Sequence, residues 1–188
     1  MINRRTFVGL GAGAALGSLD LSAQMKPGKP APELVISLNS GEQLLLSKLK
    51  GKVVVLEVLL TTCPHCQKCS ATMQKLYSEL GGAFQPVGTA INPDDMGQAR
   101  MMIPQYISNL GLKFPVGWTP REMAYKWLDA DSTKGPIYFP QLVVINKAGI
   151  VHSYHPATDQ KFFENEEARL REEISLLTGG TAAARKGT

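Results

Sequence analysis

Cysteine is scarce in this chain: there are three, all between positions 63 and 69. So few thiols, so close together, cannot staple distant loops, which excludes a disulfide-built scaffold. Aromatic residues make up 7% and charged residues 19% of the 188 positions. The formal net charge of +4 comes with no basic stripe interleaved with aromatics, so a nucleic-acid partner is not expected. No apolar run reaches the ~20 residues that a membrane-crossing helix needs. Internal repeats are absent too. What remains is enough apolar sequence for one domain with a real core, and one dense cluster of reactive side chains.

The first 23 residues read as an address label. Arg4-Arg5-Thr6-Phe7 is followed by Val8 to Leu19, a mildly apolar, Gly/Ala-rich stretch, and no acidic residue occurs before Asp20. That composition fits a cleavable signal with an imperfect cleavage site at Leu21-Ser22-Ala23. The Arg-Arg-x-Phe order resembles a twin-arginine signal, with an ordinary Sec signal as the alternative. Both lead out of the cytoplasm, to the periplasm or an equivalent extracytoplasmic space in a bacterium, with no stable membrane anchor after cleavage. Residues 24–30, rich in proline and lysine, read as a linker, 31–178 as the domain, and 179–188 as a flexible tail.

Within the domain, Leu34-Val35-Ile36 and Leu44-Leu45-Leu46 flank the turn signal Asn39-Ser40-Gly41, which predicts a β-hairpin. Val53 to Leu60 is almost wholly apolar and β-branched, as in a central strand covered on both faces. Cys63 to Leu80 is helical in pattern and stops at Gly81-Gly82. Phe84 to Ile91 reads as a strand. Asn92-Pro93-Asp94-Asp95 caps a helix running through Gln98 to Asn109, kinked at Pro104. Phe114-Pro115-Val116 is a short extended piece. Thr119-Pro120-Arg121-Glu122 reads as a capping box before a helix through Leu128. Gln141 to Asn146 and Ile150 to His155 form a second hairpin, and a helix over Glu164 to Leu177 closes the domain. This order predicts an α/β architecture, a mixed central sheet flanked by helices with an added N-terminal hairpin.

The chemistry concentrates in Cys63-Pro64-His65-Cys66. Two thiols separated by two residues, where a buried strand gives way to a helix, can close a small disulfide ring and reopen it by exchange. Cys63 falls at the helix N-terminus, where unpaired N–H groups and the helix dipole favour a thiolate, so it is the expected nucleophile. Cys66, one turn on, is the expected resolving thiol. His65 inside the ring would favour the thiolate further when protonated. Glu57 is out of place in an apolar strand; burial is costly unless the acid is protonated or partnered, and a salt-bridged glutamate is the alternative reading.

Taken together, Ala31-Pro32, Leu49 to Val55 leading into Cys63-Pro64-His65-Cys66, and Phe139-Pro140-Gln141 followed by Leu142 to Gly149 resemble the TlpA/ResA type of extracytoplasmic thiol-disulfide oxidoreductase, within the thioredoxin-like superfamily. The resemblance spans roughly Pro30 to Leu177. It implies a thioredoxin-like fold, no cofactor and no metal, and partners that are protein thiols or disulfides plus an upstream redox protein. It also implies that Glu57, six residues before Cys63, exchanges protons with Cys66, and that Pro140 is a cis-proline facing the cysteines, with Pro136 as the alternative. His65, Phe139 and Pro140 become candidate substrate-contacting residues. Thr62 departs from the aromatic residue usual before the first cysteine, and Ala71 from a helix-kinking proline. Cys69 is either a small buried residue or a further thiol. Two other functions compete: metal binding by Cys63, Cys66 and Cys69 with His152 or His155, and a peroxiredoxin-like peroxidase, whose Pro-x-x-x-Thr/Ser-x-x-Cys motif is missing here.

Overall fold

The computed structural model describes residues 25–179. The proposed leader and all of the proposed tail beyond Gly179 lie outside them. Seven strands form one mixed sheet: β1 (Val35–Ser37), β2 (Gln43–Leu45), β3 (Val53–Leu59), β4 (Phe84–Ala90), β5 (Val116–Trp118), β6 (Gln141–Ile145) and β7 (Val151–Pro156), in the order β2-β1-β5-β4-β3-β6-β7. β4 runs parallel to β3 and β5, while β6 is antiparallel to β3 and β7. Five helices flank the sheet: α1 (Pro64–Glu79), α2 (Met96–Leu110), α3 (Arg121–Leu128), α4 (Gln160–Phe163) and α5 (Glu166–Thr178).

β3 is the axis of the fold. All seven of its residues are buried, because both faces are covered and both edges are paired. Each of its aliphatic side chains contributes about 1.5–3 kcal/mol by leaving water. α1 lies against β4 and meets α2 and α5, and α5 also reaches β3. The predicted hairpin is present as β1-β2, with Val35 opposite Leu45. β1 joins the rest of the sheet through β5 at a place only glycine can occupy: a Cβ on Gly117 would stand 2.5 Å from Ile36 Cγ2 and 2.6 Å from the Ser37 carbonyl oxygen.

Two expectations change, and one element is added. The linker expected over 24–30 is, from residue 25 onward, fastened to the domain: Gly28 N–H donates to the Val151 carbonyl (2.8 Å), Val151 N–H to that of Lys29 (2.9 Å), and Met25 is buried. Its prolines interrupt pairing without preventing it, and the edge of the second hairpin supplies the partners. The capping box at Thr119 does not form, since α3 has Pro120 as its N-cap and no side-chain cap. Thr119 is fully buried, and its hydroxyl accepts from Thr89 Oγ1 (2.8 Å) and donates to the Val35 carbonyl (3.1 Å), tying β4 to β1. Finally, the closing helix expected over Glu164 to Leu177 is present as α5, and a short helix that was not expected precedes it. Asp159 caps α4, whose Phe162 and Phe163 are buried, and the chain restarts at Asn165 as α5.

Candidate active site

The junction between β3 and α1 is held by side chains around it. Asn92 Oδ1 accepts from the Thr61 N–H (2.9 Å), and the Gln67 amide donates to the Thr61 carbonyl (3.1 Å). Cys63 is the N-cap of α1 and Pro64 its first residue, where the missing N–H costs nothing. The Cys63 Sγ therefore takes the place of a capping oxygen, accepting from the Cys66 N–H at 3.5 Å. It is partly exposed, whereas Cys66 is fully buried, with Leu60 N–H donating to its Sγ (3.5 Å). Burial, followed by the neighbouring Glu57 carboxylate, pushes the Cys66 thiol well up. All three cysteines carry free thiols.

Across from Cys63, the Phe139–Pro140 peptide is cis, and Cys63 Sγ–H points at the Phe139 carbonyl oxygen 3.7 Å away. The expectation for Pro140 rather than Pro136 therefore describes this loop. The Gln141 amide fixes it by donating to the Tyr138 carbonyl (2.5 Å), and Tyr154 OH donates to Gln141 Oε1 in turn. The Phe139 ring lies parallel to Tyr125 at 6.4 Å. Neither Gln141 nor Tyr154 stood out in the sequence.

Glu57 is fully buried, and no cation partners it. Burial pushes its carboxyl up to about 8; the Ser70 hydrogen bond works the other way, and the Glu166 charge adds to the rise. Ser70 Oγ donates to Glu57 Oε2 at 2.5 Å and shares a 2.7 Å hydrogen bond with Tyr106 OH, which donates to the Cys66 carbonyl at 3.2 Å. One chain of hydroxyls thus links the acid to the backbone of the resolving cysteine. Ser70, Tyr106 and Glu166 were missed in the sequence, though each lies at helical spacing on a buried face: Ser70 with Cys66 and Met73, Tyr106 with Ile103, Glu166 with Leu170 and Ile174.

His65 does less than expected. Its ring packs edge-on against Phe163, with centroids 4.6 Å apart, and burial and then Lys68 hold its proton affinity below that of a free histidine. The neutral ring dominates near pH 7, so a cationic contribution to the Cys63 thiolate is confined to acid conditions. Beside Thr62 opens a cleft of mixed character lined by Thr61, Gln67, Met102, Gln105, Tyr106, Asn109 and Leu110. Among the described residues, no three His, Cys, Asp or Glu side chains are grouped to hold a metal, and His155 is engaged by Asp159 and Glu173.

Comparison with known proteins agrees with this geometry. The redoxin family model matches residues 26–172. The chain is 32% identical over 93 residues to the thiol-disulfide oxidoreductase ResA of Bacillus thuringiensis (strain Al Hakam), a match covering 50% of this chain and 51% of that protein. To ResA of Halalkalibacterium halodurans it is 26% identical over 130 residues, covering 69% and 68%. It thus spans about half to two thirds of the length of these relatives. In fold it is similar to a thiol:disulfide interchange protein of the thioredoxin family from Chlorobium tepidum TLS, with a TM-score of 0.62, 22% identity, and coverage of 82% of this chain and 98% of that one. The sheet order, the helix-capping cysteine, the loop before β6 and the family match all lead to one assignment: the chain belongs to the redoxin family, as a ResA/TlpA-like member of the thioredoxin superfamily.

Proposed function

We propose that this protein is an exported thiol-disulfide oxidoreductase that exchanges disulfides with protein clients through Cys63 and Cys66. The observation that carries this reading is the asymmetry of the pair: Cys63 is accessible, caps α1 and faces the Phe139 carbonyl, while Cys66 is buried beside Glu57. An accessible sulfur at a helix N-terminus is the one to attack; a shielded sulfur with an acid beside it is the one to resolve.

In the reducing direction, Cys63 thiolate attacks one sulfur of a client disulfide. A Cys63–client disulfide forms, and the client's other sulfur leaves as a thiolate that takes a proton from water. Cys66 then gives its proton to the Glu57 carboxylate and attacks Cys63 Sγ, closing the Cys63–Cys66 disulfide and releasing the second client thiolate, to which the Glu57 proton returns. Two electrons pass from the dithiol to the client, and an upstream dithiol partner restores the pair. A Glu57 carboxyl near 8 suits this use, since it holds or releases a proton around neutral pH. The loop at Phe139 and Pro140 supplies a backbone edge beside Cys63 where an extended client segment can lie. The Arg4-Arg5 leader supports an extracytoplasmic site of action, and among the described residues no helix is long and apolar enough to cross a membrane.

Incubated with an oxidised protein client, a Cys66→Ala variant is expected to accumulate a covalent mixed disulfide through Cys63, read by intact-mass spectrometry. A Cys63 that remains unreactive in that variant removes the assignment. Export is checked by fractionating cells that express the wild type and an Arg4→Lys/Arg5→Lys variant, which is expected to be retained in the cytoplasm.

A further inference from the structure

The chemistry above uses one buried acid, but the described residues contain two. Glu166, the first residue of α5, is 3% exposed, and neither of its carboxyl oxygens has a hydrogen-bond partner. Glu57 Oε1 is buried and unpartnered in the same way. The contrast with the next residue shows that this is not a shortage of cations: Glu167 turns outward and pairs with Lys75 (2.7 Å) and Arg171 (3.2 Å). Cys69, fully buried on α1 next to the Ser70 that holds Glu57, bears on the ionisation of both acids. A thiol has one hydrogen to give. It could serve at most one carboxyl at a time and here bonds to neither, so the two acids cannot both be ionised and both be satisfied.

We propose that Glu57, Cys69 and Glu166 form one buried proton-holding triad, in which Glu166 is a positioning residue that acts on the Cys66 resolving step through Cys69 and Glu57. The proposal rests on the dithiol reading given above. Two carboxyls confined with a single weak donor share protons as a pair, so a proton arriving from Cys66 is received by the pair and not by Glu57 alone. Burial pushes both carboxyls up, and the Glu166 charge helps keep Glu57 protonated. The groups facing Glu166 are Lys68, Cys69 and Thr72 on α1 and Glu57 on β3. Those facing Glu57 are Cys63, Cys66, Cys69 and Ser70 on α1, Tyr106 on α2 and Glu166 on α5. Of these, only the exposed Lys68 is a cation, and its charge acts on the Glu166 end without pairing with it.

The signs follow. Replacing Glu166 by Gln removes a negative charge facing Glu57, so Glu57 becomes a base at lower pH. Replacing Cys69 by Ala removes a thiol that is able to donate to an ionised acid, so Glu57 becomes a base only at higher pH. The test is the pH profile of the resolving step, measured as closure of a preformed mixed disulfide between Cys63 and a small aromatic thiol. Relative to wild type, the acid limb is expected to move about one pH unit toward acid in Glu166→Gln and toward base in Cys69→Ala. It should stay in place in Glu167→Gln, which breaks only the outward ion pairs. A limb that does not move in Glu166→Gln overturns the proposal. A second measurement needs no variant: the side-chain carboxyl carbons of Glu57 and Glu166, followed by NMR in the wild type, are expected to report the same two coupled titration steps. Independent single-step titrations overturn it even if the Glu166→Gln protein does not fold. If the resolving step itself is absent, or its profile is the same in Glu57→Gln, it is the dithiol mechanism that fails, while the NMR titrations still decide whether the triad exists.

Discussion

Two clusters in this molecule are built from nearly the same parts. In each, two acids share a third titratable group. At the end of β7, His155 lies between Asp159 (Nδ1 to Oδ2, 2.9 Å) and Glu173 (Nε2 to Oε1, 3.0 Å), stacked on Phe162 at 3.7 Å. Behind the active pair, the buried Cys69 bears on the ionisation of both Glu57 and Glu166. Burial opposes the His155 cation, but hydrogen bonds to Glu173 and Asp159 outweigh it and raise its proton affinity. Asp159 falls below its ordinary range, chiefly through the hydrogen bond to His155, and Glu173 ends below its own because that bond and one from Ser153 overcome burial. The shared group decides the outcome. An imidazole accepts a proton and compensates its neighbours, whereas a thiol only donates weakly and leaves three carboxyl oxygens without partners. The first cluster binds β7 to α4 and α5. The second keeps proton-binding capacity beside the cysteine pair at a cost in stability.

The difference is broken most severely at Glu57. Glu57→Gln is expected to slow the resolving step on the order of 10²-fold, the lower end of what a positioned base contributes, with Cys63 alkylation nearly unchanged. The same change should stabilise the fold at neutral and alkaline pH. Glu57 is raised in the folded state, so its contribution is fully present below its unfolded value of about 4.3 and is lost as pH rises through about 8. Chemical denaturation across that window should show the wild type losing a few kcal/mol with rising pH and the variant losing much less. An equal slope in both proteins would mean that Glu57 is ionised throughout.

The converse holds at the other cluster. His155→Gln is expected to lower stability by about 2 kcal/mol, as for hydrogen bonds to charged groups, and to leave disulfide exchange at its wild-type rate. The pH window is the reverse of an acid's. The raised His155 contributes fully below its unfolded value of about 6.5 and loses that contribution as pH rises through the folded value. Asp159 and Glu173, being lowered, contribute above the ordinary carboxylate range and lose it as pH falls. The variant should therefore be most deficient between roughly pH 4 and 6.5, and the deficit should shrink on the alkaline side. Denaturation midpoints at three pH values suffice to check this.

Strand and helix positions were legible because periodicity and punctuation are local properties. β3, α1 and α2 lie close to where their apolar spacing puts them, and the cysteines stand at the β3–α1 junction. What periodicity does not encode is the partner of a polar side chain. Thr119 has the sequence of a capping box, yet its hydroxyl is taken by Thr89 and Val35, brought together only by the sheet. His155 looked available to a metal because its partner Glu173 is 18 residues away. Glu166 was readable in principle, four residues before Leu170 on the buried face of α5, but nothing local shows that it faces Cys69 rather than water.

The smallest change that still separates the two clusters is at Tyr106. Its hydroxyl has a single hydrogen, as does that of Ser70. Ser70 can give its hydrogen to Glu57 Oε2 (2.5 Å), which favours the ionised acid, or to Tyr106 OH (2.7 Å), while Tyr106 donates to the Cys66 carbonyl (3.2 Å). When Glu57 ionises, Ser70 turns toward the carboxylate, and Tyr106 must choose between Ser70 and Cys66. Tyr106 thus competes with Glu57 for the Ser70 hydrogen and weakens the bond that favours the carboxylate, a bias toward the protonated acid. Tyr106→Phe is expected to cost about 1 kcal/mol of stability, to remove that bias, and to make Glu57 ionise at slightly lower pH, seen as a few-fold faster resolving step on the acid limb alone. A uniform slowing at all pH values would instead assign Tyr106 to packing.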